Sequence, residues 1–254
     1  MITPSVAVDA YAHCGREKYL PVEALEAVMS EAGVDRVVVC QHLGQFDNSY
    51  IASLLESRPG RFAGVALVDH DADSWQESLS KVCRSGFRGL RITSDALRER
   101  PALAYQAASA GLNEVLYAPE GVHGIAAPLR VLASTHTQVA FVISHLGAPA
   151  VEDGRLRRGD ELLDLADLAN VYVLLSGLAM YCRFPYEPLD RLVTEAIAAF
   201  GQERVMWGSN FPVGGEAAPD YLRDLNLVLS GERWGIDADA AAAISDTTAR
   251  RLWF

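Results

Sequence analysis

Short apolar runs, each followed by a loop and an amphipathic stretch, recur eight times along the chain. They are Ser5–His13, Arg36–His42, Phe62–His70, Phe87–Thr93, Leu112–Ala118, Val139–His145, Val171–Ser176 and Arg204–Ser209. Most are rich in Val, Leu or Ile and almost unbroken, as strands covered on both faces should be. Helical patterns lie between them. In Pro21–Ala32, the residues Val22, Leu25, Val28, Met29 and Ala32 fall on one face. Pro21 there suits a first helical position and Gly33 a left-handed stop. Leu189–Phe200 repeats the design, with Leu189, Leu192, Val193, Ala196, Ile197 and Phe200 on one side and Gly201 after it.

Alternating strands and helices predict a parallel sheet with helices outside. Eight such units in a chain of 254 residues fit a closed α/β barrel of the (β/α)8, or TIM-barrel, kind. An open doubly wound sheet is the alternative, but no G-x-G-x-x-G follows any strand, so its dinucleotide-binding form lacks a fingerprint. No linker or compositional break interrupts the pattern, and one domain over residues 1–254 is expected.

Composition narrows the function. The chain has 22 Lys+Arg against 33 Asp+Glu, a net charge of −11. Such a surface repels phosphate backbones and acidic lipid, which argues against nucleic-acid and membrane partners. No apolar run approaches the roughly 20 residues that span a bilayer. Met1 to Tyr11 lacks the basic start and apolar core of a signal peptide. Cys14, Cys40, Cys83 and Cys182 stand far apart without a C-x-x-C pair, and read as reduced thiols. A cytoplasmic enzyme or binder of a small-molecule substrate is expected. Association into a homo-oligomer has only the general prior for soluble proteins.

In such a barrel, chemistry is expected where the strands end at their C-terminal side. Those ends are polar here: Asp9, Tyr11 and His13; Gln41 and His42; Asp69 and His70; Arg91 and Thr93; Tyr117; His145; Ser176; Ser209 and Asn210. Four of the six histidines stand at such ends, while His123 and His136 do not. A lone histidine after a strand is ordinarily a loop or core residue; four at equivalent positions point to a shared cleft. Strand alternation puts Asp9, Tyr11 and His13 on one face, expected to point inward, with Cys14 away. Asp9 reads best as a structural carboxylate bonded to backbone or hydroxyl. Arg91, in an apolar strand, either pairs with a carboxylate such as Asp69 or waits for an anionic ligand.

These residues carry a resemblance. The chain resembles the second amidohydrolase group, the TIM-barrel hydrolases, lactonases and decarboxylases of the amidohydrolase superfamily. The matching blocks are Val8-Asp-Ala-Tyr-Ala-His13, Gln41, Asp47-Asn-Ser-Tyr50, Arg61-Phe-Ala-Gly-Val65 and Gly86-Phe-Arg-Gly-Leu-Arg91. Ser144-His-Leu-Gly-Ala-Pro149, Leu175-Ser-Gly177 and Val205-Met-Trp-Gly-Ser-Asn-Phe-Pro212 complete the match at consistent order and spacing. Within the group, sugar-lactone and dicarboxylate-lactone hydrolases look most similar.

Two departures fall on the machinery that the resemblance implies. The family opens with Asp-x-His-x-His and closes its last strand with an aspartate, residues that can hold a divalent metal or activate water. Here the first histidine is Tyr11 and the aspartate is Asn210. An amide takes no proton at neutral pH, so Asn210 is not a general base, although it can orient water or donate to a carbonyl oxygen. A neutral phenol is a poor metal ligand and a good hydrogen-bond donor. His13 and His145 alone leave a zinc site one protein ligand short, and His42, His70 or Cys40 would have to complete it. No metal or other cofactor is therefore expected.

The expected function is opening of a lactone, or a related ester or amide, of a small anionic or polyol substrate. His13 or His145 would be the acid/base, because an unperturbed imidazole titrates near working pH. Tyr11 and Asn210 would bond the carbonyl or oxyanion. Arg91 would hold the anionic or polyol end, with Gln41, Tyr117, Ser176 and Arg183 as further binding residues. The alternatives are an isomerase, lyase or cyclase acting on a small biosynthetic intermediate, or a catalytically inactive ligand-binding barrel. Glu120 is read as an exposed loop residue that could also replace the lost acid. Trp207 is read as barrel packing or a cleft wall. Met180–Tyr186 suits a lid or a subunit contact, and Glu152–Asp164 a solvated loop and helix start.

Overall fold

The computed structural model describes residues 7–214 and 218–254. The eight barrel strands and a two-stranded hairpin are numbered together in chain order. They are β1 (Ala7–Ala12), β2 (Val34–Cys40), β3 (Phe62–Ala66), β4 (Gly89–Thr93), β5 (Asn113–Tyr117), β6 (Phe141–Ile143), β7 (Ala150–Glu152), β8 (Arg155–Arg158), β9 (Val171–Ser176) and β10 (Val205–Gly208). All but β7 and β8 form one parallel sheet in the order β1-β2-β3-β4-β5-β6-β9-β10. Helices return the chain between them, among them α1 (Val22–Ala32), α2 (Ser49–Ser57), α3 (Trp75–Arg84), α4 (Ser94–Glu99), α5 (Pro101–Ser109), α6 (Ala126–Thr135), α7 (Asp190–Phe200) and α8 (Ala218–Ser230). None is long and apolar enough to cross a membrane among the described residues. The expected (β/α)8 barrel is present, its first run starting at Ala7; Ser5 lies outside the described residues.

The curl of the sheet is closed at the top by backbone bonds between the ends of β1 and β10. Asn210 N–H donates to the Tyr11 carbonyl (2.8 Å) and His13 N–H to the Phe211 carbonyl (2.7 Å). Gly208 permits that approach, since a Cβ there would lie 2.8 Å from the Tyr11 Cβ. Inside, small and β-branched residues fill the barrel: Val8, Ala10, Val38, Ala63, Val65, Val115, Val142 and Leu174, with Trp253 beneath them. Burying each valine or leucine contributes about 1.5–3 kcal/mol. A second shell of Leu, Ile and Val joins the outer faces of the strands to the helices. Helix α1 ends where the sequence requires, with Gly33 at φ +72° and its N–H donating to the Met29 carbonyl.

Three readings are corrected. First, Asp9 does not share a face with Tyr11. The register slips between Asp9 and Ala12, and the Asp9 carboxylate captures the Tyr11 N–H (3.1 Å). Asp9 follows Ala7 on the outer face, and the irregularity after it leaves Ala10 and Tyr11 both facing inside. Second, the strands end before Gln41, His42, Asp69, His70 and His145, which lie in the segments past them, although Gln41 N–H still donates to the Val65 carbonyl (2.8 Å). Third, Glu152–Asp164 is not a plain solvated loop, because it contains most of the β7–β8 hairpin. Asp153 and Gly154 both have positive φ (+50° and +69°), the two-residue turn that an Asp-Gly pair favours.

Candidate active site

At the C-terminal mouth of the barrel, the ring of Tyr11 lies between two imidazoles. Its centroid is 5.0 Å from that of His13 and 4.9 Å from that of His145, edge-on to both at 82°. All three side chains are buried. The Tyr11 hydroxyl has no hydrogen-bond partner. Burial pushes its pKa well above the usual phenol value, so it stays a neutral donor.

The imidazoles are held differently. His13 Nδ1 lies 2.6 Å from the Cys40 carbonyl. A carbonyl only accepts, so Nδ1 carries the proton and Nε2 is the basic nitrogen. His145 Nδ1 lies 3.0 Å from Ser176 Oγ, which also accepts the His145 backbone N–H (3.3 Å). Burial, reinforced by the charge of Arg91, holds the His13 imidazole well below its ordinary pKa and lowers that of His145 to about 3. Both rings are neutral at pH 7, and the pKa near working pH expected of an exposed histidine is lost to desolvation.

Arg91 rises from β4 into this cluster and is only 4% exposed. Nη1 donates to the Gln41 carbonyl (3.0 Å), and Nε has no partner. Its guanidinium stacks on the Tyr117 ring at 4.7 Å and approaches Tyr11 at 6.0 Å. No carboxylate within ion-pair distance answers it among the described residues. Asp69 does not pair with it; it sits with His70 and Asp71, the one group of three or more potential metal-ligating side chains with mutually close ligand atoms among the described residues.

Asn210 closes the cluster. Its backbone is left-handed (φ +58°), as is that of His145 (φ +54°). Such φ values are costly for non-glycine residues and are held by the surrounding structure. Asn210 Nδ2 lies 3.4 Å from both Met180 Sδ and the Val213 carbonyl. Gly177 separates Asn210 from His145. A Cβ there would stand 2.8 Å from His145 Nδ1 and 3.0 Å from Asn210 Nδ2.

Beneath this mouth, Asp9 fastens the seam. It accepts from Ser209 N–H (2.9 Å), Ser209 Oγ (2.6 Å) and Tyr221 OH (2.8 Å). Burial nevertheless raises its pKa to about 6, against the pull of those donors. Asp9 thus has the structural setting favoured for it from the sequence.

Other candidates fall elsewhere. The Gln41 side chain is engaged within its own loop, donating to the Asp47 carbonyl (2.9 Å) and accepting His42 N–H (3.0 Å), so only its carbonyl serves the cluster. Arg183 is exposed and shares a groove with Val151 and Gly154 of the hairpin region, not with the cluster. Glu120 pairs at the surface with Arg98 (2.7 Å). Trp207 packs edge-on against Tyr221 at 5.4 Å. Met180 reaches over Asn210, and Tyr186 OH donates to the Asp224 carboxylate of α8 (3.0 Å), pinning the Met180–Tyr186 segment across the top.

Tyr19 escaped sequence reasoning. It lies in the loop after β1, its ring 5.0 Å from that of His13 and nearly parallel (17°), and edge-on to His42 at 5.3 Å. No periodicity marks a loop residue, and only its place after a strand end pointed to the mouth.

A family model described as Amidohydrolase matches residues 7–254. An L-fucono-1,5-lactonase of Burkholderia ambifaria is 26% identical over 237 residues, covering 81% of this chain and 80% of its own. A 4-sulfomuconolactone hydrolase of Rhizobium radiobacter is 25% identical over 225 residues, 82% of this chain and 73% of its own. Among solved structures, an amidohydrolase from Burkholderia multivorans with bound zinc is similar at a TM-score of 0.76 and 22% identity, covering 97% of this chain and 98% of its own.

Proposed function

The chain belongs to the amidohydrolase family, and from that premise we propose that it is a metal-independent lactone-type hydrolase of a small anionic substrate. The names of its lactonase and muconolactone-hydrolase relatives support the reaction class. The observation that carries the reading is the buried, unpaired Arg91 beside a neutral imidazole–phenol–imidazole row. A buried guanidinium is costly without an anion, and a substrate carboxylate supplies one.

Zinc, which the B. multivorans relative holds, does not fit this row. The Tyr11 ring fills the space between His13 and His145, Asn210 offers an amide where a carboxylate would ligate, and the Asp9 carboxylate is turned outward and saturated. No step is therefore routed through a metal.

In the proposed reaction, Arg91 binds the substrate anion, which removes the smaller, charge-borne part of the depression of both imidazoles and leaves the larger part due to burial. His13 Nε2 then takes a proton from water as the oxygen attacks the carbonyl carbon. Tyr11 OH and Asn210 Nδ2 donate to the carbonyl oxygen as it becomes negative. The ring C–O bond breaks, and the proton on His13 passes to the leaving oxygen, giving a hydroxy acid. Ser176 orients His145, and the Tyr117 ring orients the guanidinium.

Turnover of a panel of anionic lactones in ¹⁸O-water tests the reading. One ¹⁸O atom in the product carboxylate and full activity after chelation are expected. Loss of activity on chelation, with recovery on adding zinc, would overturn metal independence. The missing carboxylate base also favours a second reading, proton transfer without water in an isomerase, lyase or cyclase. A product free of label would select it.

A further inference from the structure

Every group of the candidate site is covered. Tyr11, His13, Arg91, His145 and Asn210 are each at most 4% exposed, so a substrate reaches them only when part of the mouth moves. We propose that the moving part is the loop of residues 15–20, whose Tyr19 ring is a latch that closes over His13 and lifts to admit substrate. Its role in turnover rests on the reading of His13 as the base.

Two rings pack against the His13 imidazole. Tyr11 meets it edge-on (5.0 Å, 82°) and is itself fully buried, so it forms the inner wall. Tyr19 lies nearly parallel to it (5.0 Å, 17°) and is only partly buried, so it forms the outer one. The same Tyr19 ring stands edge-on to His42 at 5.3 Å. A cavity of about 150 Å³ opens beside His42, bounded by Gly15, Arg16, Gln41 and Tyr50 among others. Lifting the Tyr19 ring joins that cavity to the imidazole.

The loop is lightly fastened. One backbone bond closes it, from Gly15 N–H to the Leu20 carbonyl (2.9 Å). The side chains of Arg16 and Lys18 make only cation–π contacts among the described residues, with Tyr50 and Tyr19, each at 5.2 Å. Tyr19 has a left-handed backbone (φ +70°), a pose costly for a bulky side chain and relieved once the ring lifts. The other cover of the mouth, the segment 180–186, is held more firmly. Tyr186 OH ties it to the Asp224 carboxylate of α8 (3.0 Å), and Met180 N–H and Tyr186 N–H donate to the Gly177 and Arg183 carbonyls (both 2.9 Å). Gly15 sets the closed form, since a Cβ there would lie 2.4 Å from the Lys18 carbonyl oxygen.

Carbethoxylation by diethyl pyrocarbonate, which modifies accessible neutral imidazoles, tests this on the full chain when followed histidine by histidine by mass spectrometry. Exposed His123 should react quickly in every form and serves as the internal reference. His13 should react slowly in the wild type. Tyr19→Ala is expected to speed His13 about three- to tenfold, the shift toward an open loop that loss of one stacked pair allows. Gly15→Ala keeps every ring, pushes residue 15 away from Lys18, and should speed His13 as well. Tyr19→Phe keeps the latch and should match the wild type. His145 stands behind Tyr11 and should keep its wild-type rate in all three variants. An unchanged His13 rate in Tyr19→Ala would overturn the latch, and an unchanged rate in Gly15→Ala would overturn the loop as the moving part. A rise at His145 in step with His13 would mean that the whole mouth had loosened, and would overturn both. No turnover is read, so a failed labelling experiment removes the hydrolytic reading and leaves this one standing, and the reverse.

Discussion

Replacing Tyr11 by Phe separates the chemistry of the site from its stability. The Tyr11 hydroxyl is fully buried and has no partner, while its ring is packed between His13 and His145. Removing only the oxygen leaves that packing intact and ends the desolvation penalty of an unsatisfied donor, about 1–3 kcal/mol. At roughly 2–4 °C per kcal/mol for a domain of this size, Tm should rise by about 2–12 °C. If the hydroxyl donates to the developing oxyanion, kcat should fall about 10²- to 10³-fold with little change in KM. Scanning calorimetry and steady-state kinetics on the same preparation measure both. A lowered Tm would mean that the hydroxyl is satisfied in the folded protein. An unchanged kcat would remove Tyr11 from the reaction.

Other outcomes follow from the same contacts. Glu114 is buried in β5 with neither oxygen bonded, and burial holds its pKa well above the usual carboxylate range. The folded state therefore keeps a proton that the unfolded chain sheds, and stability falls as pH rises past the unfolded value, by up to about 1.4 kcal/mol per pH unit. Glu114→Gln should flatten that part of the urea-stability profile and raise stability at pH 7. Asp9, raised to about 6, should contribute a similar fall between its ordinary value of 3.8 and about 6, and Asp9→Asn should abolish that segment. Arg91→Gln should lower kcat/KM for an anionic substrate about 10²-fold or more while leaving neutral analogues much less affected, as kinetics on matched acid and ester substrates would show. Glu120→Gln should change neither turnover nor Tm measurably, since its ion pair with Arg98 lies at the surface.

Much of the architecture was legible because a barrel strand buried on both faces writes a continuous apolar run, and because proline and glycine mark the ends of α1. The inward placement of Tyr11, His13, Arg91 and His145 was legible from their positions near strand ends. What the pattern could not carry were departures from period two. One carboxylate, Asp9, takes the Tyr11 N–H out of the ladder, and Tyr11 then faces inward beside Ala10, which no hydropathy pattern records. The state of the histidines is hidden from the sequence for a related reason: a residue type states a reference pKa, whereas burial and the charge of Arg91 lower it at these two positions. The Asp153-Gly154 pair is a turn signal in the sequence, but the charges around it point to a solvated loop and mask the hairpin. Arg183 fits an anion-binding role by type alone, and its exposure removes it from the cluster.

The seam between the first and last strands has a consequence for how this barrel ages under selection. The amide of Asn210 and the carbonyl of Tyr11 are themselves stitches of the closure. Any mutational drift that re-aims either side chain toward a new reaction also tugs on the wall of the cylinder. Deuterium uptake at the Asn210 and His13 amides would therefore report mechanical integrity and catalytic readiness together. A lineage exploring new chemistry here should first acquire reinforcements along β1 and β10.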